Sequence, residues 1–263
     1  MRTQEILSSF SKYIESELGI IYSEHNFFQL QNRLEEISRL TGVKFEFLSD
    51  MLSRGEFDQY KQLLIDLSTN NETSFFRDPK VFIALEKIIE KFDGQRNFRV
   101  WSAACSSGQE AISIAITIKE LNPSLAFTID ATDISERILL KAKEGAYSQL
   151  EVRRGLSDSH LEEYFRQVGS DRWQVNSEIS RHIVFNKLNL IDEFPFKEKF
   201  DLVFCRNVLI YQKVEGKIDI INKITESLET GGYLVLGSGE SLLGVSNHYE
   251  QAFYGDAVVY KKK

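Results

Sequence analysis

The sequence predicts an α/β protein in which a doubly wound, mainly parallel sheet follows an all-helical domain and carries a small inserted antiparallel β-subdomain. Three observations lead there: helical spacing of apolar residues over the first 70 positions, alternation of short apolar runs with helical segments from Phe98 onward, and one connection far longer than its neighbours. A chain of 263 residues buries such a core without needing a disulfide or metal staple.

In the helical domain, residues 1–75, apolar stripes at spacings of three and four run through Ile6, Phe10, Tyr13, Ile14 and Leu18, then Phe27, Leu30, Leu34 and Ile37. Further stripes follow at Phe45 and Leu48 and at Tyr60, Leu63, Leu64 and Leu67, with turn signals at Thr41-Gly42 and Arg54-Gly55. The second domain, residues 76–263, opens at Asp78-Pro79, which predicts an N-cap followed by proline at the first helical position. That helix runs through Phe82, Leu85, Ile89 and Phe92, and Asp93-Gly94 ends it. Strands are predicted at Phe98–Ser102, Phe127–Asp130, Ile183–Leu188, Asp201–Cys205, Tyr233–Gly237 and Ala257–Tyr260, and helices at Glu110–Leu121, Ser135–Glu144 and Val214–Leu228. Between Glu144 and Ile183 lie about 38 residues, where roughly 2 to 6 is usual. Trp173, Val175, Ile179, Ile183 and Phe185 have strand-like composition, so residues from about 160 to 182 are predicted to form the insert.

A net charge of −7 removes bulk attraction to phosphate backbones and anionic lipid, which argues against nucleic acid as a partner. Charged residues interrupt every apolar stretch from Met1 to Ile20, and no run approaches the roughly 18 apolar residues of a membrane span. Two cysteines, Cys105 and Cys205, suit a reducing compartment better than a disulfide framework. A cytoplasmic protein without membrane insertion is the expectation.

Ligands of open α/β sheets lie beyond the carboxyl ends of the strands, where strand order reverses. After the first strand, Ala103-Ala104-Cys105-Ser106-Ser107-Gly108 is a run of small residues that lets a ligand approach the backbone. It has one glycine and fails the G-x-G-x-x-G dinucleotide pattern; no G-x-x-x-x-G-K-[ST] phosphate loop exists anywhere in the chain. The second strand leads to Asp133, placed where a nucleotide-binding sheet holds a ribose diol, though a helix cap is an equal reading of this residue. Later strand ends carry Asn189 and Leu190, then Arg206, Asn207 and Tyr211. Polar residues at four successive strand ends suggest a nucleoside ligand without polyphosphate. The four histidines, His25, His160, His182 and His248, lack zinc-ligand spacing, and no metal site is predicted.

Longer strings now add to this reading: Asn71-Glu72-Thr73-Ser74-Phe75-Phe76-Arg77-Asp78, Trp101 through Glu110, Ala131-Thr132-Asp133, Phe204-Cys205-Arg206-Asn207-Val208-Leu209-Ile210-Tyr211, Gly231-Gly232-Tyr233-Leu234 and Gly239-Glu240-Ser241-Leu242. In this order, over nearly the whole chain, they resemble the CheR-type chemotaxis receptor methyltransferases. The resemblance implies an S-adenosylmethionine-dependent methyltransferase fold, and transfer of a methyl group from that cofactor to glutamate side chains of chemoreceptors, with S-adenosylhomocysteine as product. It implies that Asn71, Thr73, Arg77, Glu110, Asp133, Asn189, Leu190, Arg206 and Asn207 line the cofactor pocket, with Arg77 and Tyr211 nearest the transferred methyl. The chain departs from the family pattern at Ala111-Ile112, where Pro-Tyr is frequent, and at Gln212, where an aromatic residue commonly follows the tyrosine.

A glutamate carboxylate is ionised at neutral pH, so its methylation needs no general base. Alignment and exclusion of water remain for the protein to supply. Two other readings accompany this one: a signalling module that keeps the fold without turnover, and a carboxyl methyltransferase with another substrate. The partners implied are the cytoplasmic methylation helices of transmembrane chemoreceptors. Family members that tether to a receptor C-terminal tail through the insert carry a longer, glycine-rich loop there. Here only Arg166 to Gln174 separate Tyr164-Phe165 from Val175, with Gly169 the sole glycine, which predicts action without tail tethering. Residues 1–75 carry twelve acids against seven bases and offer no net attraction to glutamate-rich helices.

Overall fold

The computed structural model describes residues 2–263; Met1, with which the predicted helical domain begins, lies outside the described residues. Four helices come first: α1 (Arg2–Leu18), α2 (Phe27–Thr41), α3 (Phe45–Ser53) and α4 (Lys61–Ser68). Their apolar stripes meet, burying Ile6, Phe10, Ile14, Leu18, Leu30, Leu34, Ile37, Leu48 and Leu64 together. At the centre stands Phe57, from a short 3-10 turn, edge-on to Phe10 at 4.8 Å and to Tyr13 and Tyr60 at 6.0 Å. No helix among the described residues is long and apolar enough to cross a membrane.

Next is α5 (Pro79–Ile89), which begins at the proline as predicted, but Asp78 does not cap it. Its backbone is left-handed (φ +59), and its carboxylate is taken by Arg206 instead. Val81, Phe82, Leu85, Ile88 and Ile89 of α5 pack into the sheet core, each contributing roughly 1.5–3 kcal/mol by burial.

The sheet is built from β1 (Phe98–Ala103), α6 (Gln109–Leu121), β2 (Phe127–Asp133) and α7 (Glu136–Glu144), then, after the insert, β6 (Ile183–Lys187), β7 (Phe200–Cys205), α11 (Val214–Ser227), β8 (Leu228–Leu236), β9 (Tyr249–Tyr254) and β10 (Ala257–Lys262). Its order is β6-β2-β1-β7-β8-β10-β9, parallel from β6 to β8 and antiparallel at β10 and β9. The chain winds outward from β1 to β2 and β6 and then returns to lay β7 on the other side of β1. Strand order therefore reverses between β1 and β7, whose last residues, Ala103 and Cys205, are register partners. Beneath that end Trp101 is fully buried, donating Nε1–H to Thr132 Oγ1 at 2.9 Å and packing on Phe194, Phe196 and Phe200.

Two elements differ from the sequence expectation. The edge strand β9 was not predicted: its half-exposed mixture of aromatic and polar residues gives no clean alternation. Strand β8 starts directly after α11, because a register shift between Phe200 and Leu202 takes Glu229 to Gly232 into the ladder as a bulge.

The insert holds β3 (Ala146–Ser148), α8 (Gln149–Arg153), α9 (Asp158–Tyr164), β4 (Phe165–Val168), β5 (Arg172–Val175) and α10 (Ser177–Ser180), with an antiparallel sheet in the order β3-β5-β4. This sheet draws on residues ahead of the segment predicted for it. Residues 160–164 are helical, and Ile179 is buried from a helical turn rather than a strand. Local caps explain the helices: Ser148 and Glu151 form a capping box for α8, and Ser157 accepts from the His160 N–H at 3.0 Å to start α9.

The insert also anchors the segment that precedes α5. Phe75 packs edge-on against Tyr147 at 5.0 Å and Phe165 at 5.5 Å. Gly155, with φ +113, lies so close that a Cβ there would stand 1.9 Å from the Phe75 carbonyl oxygen. Backbone cannot yield to backbone at that distance, so Gly155→Ala is expected to lower stability by more than about 2 kcal/mol, read from the urea unfolding midpoint.

Candidate active site

One cavity opens over the switch point between β1 and β7. Its floor is the loop after β1, its sides are the ends of β2, β6 and β7, and its roof is the segment from Thr69 to Arg77 together with the end of α1. Among the described residues, five non-glycine positions have left-handed backbone: Phe76, Asp78, Ala104, Ser106 and Asn207. All five belong to the three loops around this cavity. Such conformations cost on the order of 1–3 kcal/mol each and persist only where surrounding bonds hold them.

Those bonds come from buried charged side chains. Arg206, with a side chain 2% exposed, donates Nη1–H to Glu110 Oε2 at 3.1 Å and Nη2–H to Asp78 Oδ2 at 2.6 Å and to the Arg77 carbonyl at 2.9 Å. It thereby ties the loop after β7 to the start of α6 and to the segment before α5. Its Nε is buried without a partner. Glu110 in turn accepts from Ser102 Oγ at 2.7 Å.

Asp133 ends β2 with both carboxylate oxygens engaged by backbone, Oδ2 by the Ser106 N–H at 2.9 Å and Oδ1 by the Ser135 N–H at 3.0 Å. Ser135, not Asp133, caps α7, through a 3.3 Å bond from the Ile138 N–H. Burial pushes the Asp133 carboxyl above the ordinary carboxylate range, against the downward pull of N–H groups from Ser135, Ser106 and Ile134. Cys105 and Cys205 are buried and free, and burial pushes both thiols well up, Cys105 further so by Asp133 and Glu110.

All ten residues singled out from the sequence line this cavity: Asn71, Thr73, Arg77, Glu110, Asp133, Asn189, Leu190, Arg206, Asn207 and Tyr211. Arg77 donates Nη1–H to the Glu72 carbonyl at 3.0 Å. Tyr211 accepts from Asn70 Nδ2 at 2.8 Å, which leaves its hydroxyl hydrogen free to donate. Asn189 points its amide away, donating to the Glu17 carbonyl at 2.8 Å. Among the described residues no group of His, Cys, Asp and Glu is arranged to hold a metal ion.

Sequence reasoning did not anticipate that the helical segment contributes Leu18 and Ile20 to the wall. Nor did it assign a role to Gln212, which donates Nε2–H to the Leu18 carbonyl at 3.0 Å, beside a short antiparallel bridge from Ile20 to Gln212. The Gln212 position had registered only as a departure from a pattern. Ala111 and Ile112, the other departure, are buried in the core of the sheet domain.

Comparison with known proteins decides the family. Residues 71–257 match the domain described as "CheR methyltransferase, SAM binding domain". The chain belongs to the CheR methyltransferase family. It is 37% identical to the chemotaxis protein methyltransferase Cher2 of Pseudomonas putida, over 97% of this chain and 96% of that protein. It is likewise 37% identical to a chemotaxis protein methyltransferase of Vibrio parahaemolyticus, over 97% and 95%. A solved structure with a looser likeness is TrmN of Thermus thermophilus, 18% identical with a TM-score of 0.44, covering 72% of this chain and 53% of that one.

In this CheR-family protein the buried Arg206 can be tested by a substitution of similar volume. Arg206→Met leaves the Glu110 and Asp78 carboxylates without their cation and is expected to cost about 3 to 5 kcal/mol of stability. Chemical denaturation reads the effect; a loss below about 1 kcal/mol would show that the guanidinium does not hold the three loops together.

Proposed function

We propose that the protein transfers the methyl group of S-adenosylmethionine to glutamate side-chain carboxylates of chemotaxis receptors, giving glutamate methyl esters and S-adenosylhomocysteine. The observation that carries this reading is the convergence of the ten residues on one cavity at the switch point, in a chain of the CheR methyltransferase family.

The residues present suit such a cofactor. Ala104, Cys105 and Ser106 keep the floor shallow enough for a ligand to lie on backbone. Asp133 is a buried carboxylate whose ionised form lacks solvent, and hydroxyl donors from a ribose diol supply that stabilisation. The unpartnered Nε of Arg206 is a second group that a polar ligand satisfies. Asn71, Thr73, Glu110, Asn189, Leu190 and Asn207 complete the contact set.

When bound, S-adenosylmethionine would supply an electrophilic methyl to a substrate carboxylate oxygen, the S–CH3 electron pair returning to sulfur. Tyr211, which accepts from Asn70 Nδ2, keeps its hydroxyl hydrogen for a bond at the edge of the reacting centre. Arg77 orients a carboxylate; pairing too tightly would blunt the nucleophile, so its role is positioning at the mouth of the site. Leu18, Ile20 and Phe82 exclude water from the wall.

The curated relatives are named for chemotaxis, and chemoreceptor methylation helices are the partner class this reading adopts. The β4–β5 hairpin is short, turning between Val168 and Arg172, and the proposal is that receptors are engaged without their C-terminal tail.

Incubation with methyl-labelled S-adenosylmethionine and a receptor cytoplasmic fragment is expected to yield base-labile ester; binding without ester formation would instead identify a non-catalytic module. Asp133→Ala should weaken cofactor binding by about 1 to 3 kcal/mol in calorimetry. In the wild type, affinity should fall as the pH drops through the Asp133 value, which burial holds above the ordinary 3.8, because the protonated acid loses an acceptor; a flat profile would assign the diol elsewhere.

Tyr211→Phe is expected to slow turnover more than it weakens cofactor affinity, whereas Arg77→Ala should reduce both, as single-turnover rates and calorimetry will separate. A receptor truncated of its tail should remain a full substrate. Micromolar binding of free tail peptide that competes with methylation would refute untethered action.

A further inference from the structure

Glu240 lies in the loop after β8 and is not among the residues lining the cavity. Its carboxylate nevertheless gathers five backbone N–H groups. Oε1 accepts from Val208 at 3.0 Å, Leu209 at 2.8 Å and Ile210 at 3.3 Å, while Oε2 accepts from Asn207 and Gly237, both at 2.8 Å. Four of these donors are consecutive and open the 3-10 turn Leu209–Tyr211, whose first N–H groups have no partner within the turn. A carboxylate at that end also answers the partial positive charge of the aligned amides. Asn207 is the left-handed residue of the loop (φ +58), a conformation that asparagine tolerates better than other side chains and that the Glu240 contact fixes here.

Close approach is possible because residue 237 is glycine: a Cβ there would stand 2.8 Å from Glu240 Oε2 and 2.9 Å from the Asn207 nitrogen. The turn from the Gly237 carbonyl to the Glu240 N–H, 2.9 Å, aims the side chain back at the loop. No amide can substitute, since glutamine offers a single acceptor oxygen and would turn its own NH2 toward backbone N–H groups.

We propose that Glu240 is a positioning residue for methyl transfer, holding Asn207 to Ile210 so that Tyr211 stands at a fixed place over the reacting centre. This rests on the proposed function for the placement of Tyr211. Arg206, by contrast, is held by Glu110, Asp78 and the Arg77 carbonyl, and Asp133 by the N–H groups of Ser106 and Ser135. Loss of Glu240 therefore disturbs the methyl-transfer end of the site while leaving most cofactor contacts standing.

Two variants, Glu240→Gln and Gly237→Ala, attack the same contact from its two sides, and two measurements read the result. Amide hydrogen exchange at residues 207–210 should accelerate at least about tenfold in both variants, with the amides of α6 unchanged. The turnover number per folded molecule, counted by S-adenosylhomocysteine binding stoichiometry, should fall about 100-fold while the cofactor dissociation constant moves less than about threefold. A residue that serves stability alone would leave turnover per folded molecule untouched. Unchanged exchange at 207–210 overturns the inference whatever the enzyme does, as does accelerated exchange with wild-type turnover. A wild type that methylates no receptor fragment overturns the proposed function and the positioning role of Glu240 in it, and the exchange result distinguishes that failure from a loop that Glu240 never held.

Discussion

A buried guanidinium is the constraint on which this site depends. Arg206 sits at the end of β7 with almost no solvent, and the cost of burying it is offset only because Glu110, Asp78 and the Arg77 carbonyl surround it. These partners belong to the start of α6 and to the segment leading into α5. The same side chain thus determines how far apart three loops stand. The width of the cavity between the ends of β1 and β7 follows from that geometry.

Around Arg206 the strain and the means of holding it are neighbours. Left-handed backbone at Ser106 and Asn207 turns amides toward carboxylates: Ser106 toward Asp133, and Asn207 toward Glu240. Asp133 and Glu240 are held by backbone N–H groups, and Glu110 and Asp78 by the guanidinium, so the negative charge around the site stands in fixed positions. Under the proposed methyl transfer to an already ionised acceptor, this is the relevant kind of preparation. The proposed reaction asks for alignment in a dry space and for no proton transfer.

The helical bundle is the other half of the enclosure. Gln212 and Asn189 hold the carbonyls of Leu18 and Glu17 at the end of α1, and Ser135 donates to Asp66 Oδ1 at 2.7 Å at the end of α4. An ion pair of Glu15 with Lys213 adds exposed, salt-sensitive support. The bundle is fastened to the very loops that carry Tyr211 and Asn189, so a movement of α1 is felt at the mouth of the site.

The sequence by itself determined the periodic parts. Stripes at three and four residues specified the helices of the bundle, α5 and α6, and apolar runs specified the central strands, because these elements answer to burial that repeats along the chain. Small residues after β1 and polar residues at four strand ends located the cavity, and the motif strings indicated the family. Tertiary structure alone decided what those polar groups hold. Asp78 looks like a cap and serves Arg206; Asp133 looks like a cap and braces a loop; Gln212 and Glu240 carry no periodic or spacing signal that names their partners. The strand pattern likewise could not show β9, an edge with one face half exposed, or the helices of the insert, which local caps started in residues of strand-like or polar composition. Burial leaves its trace along the sequence because it repeats. A hydrogen bond from residue 240 to residue 207 repeats nowhere, and only the folded backbone brings its donor and acceptor together.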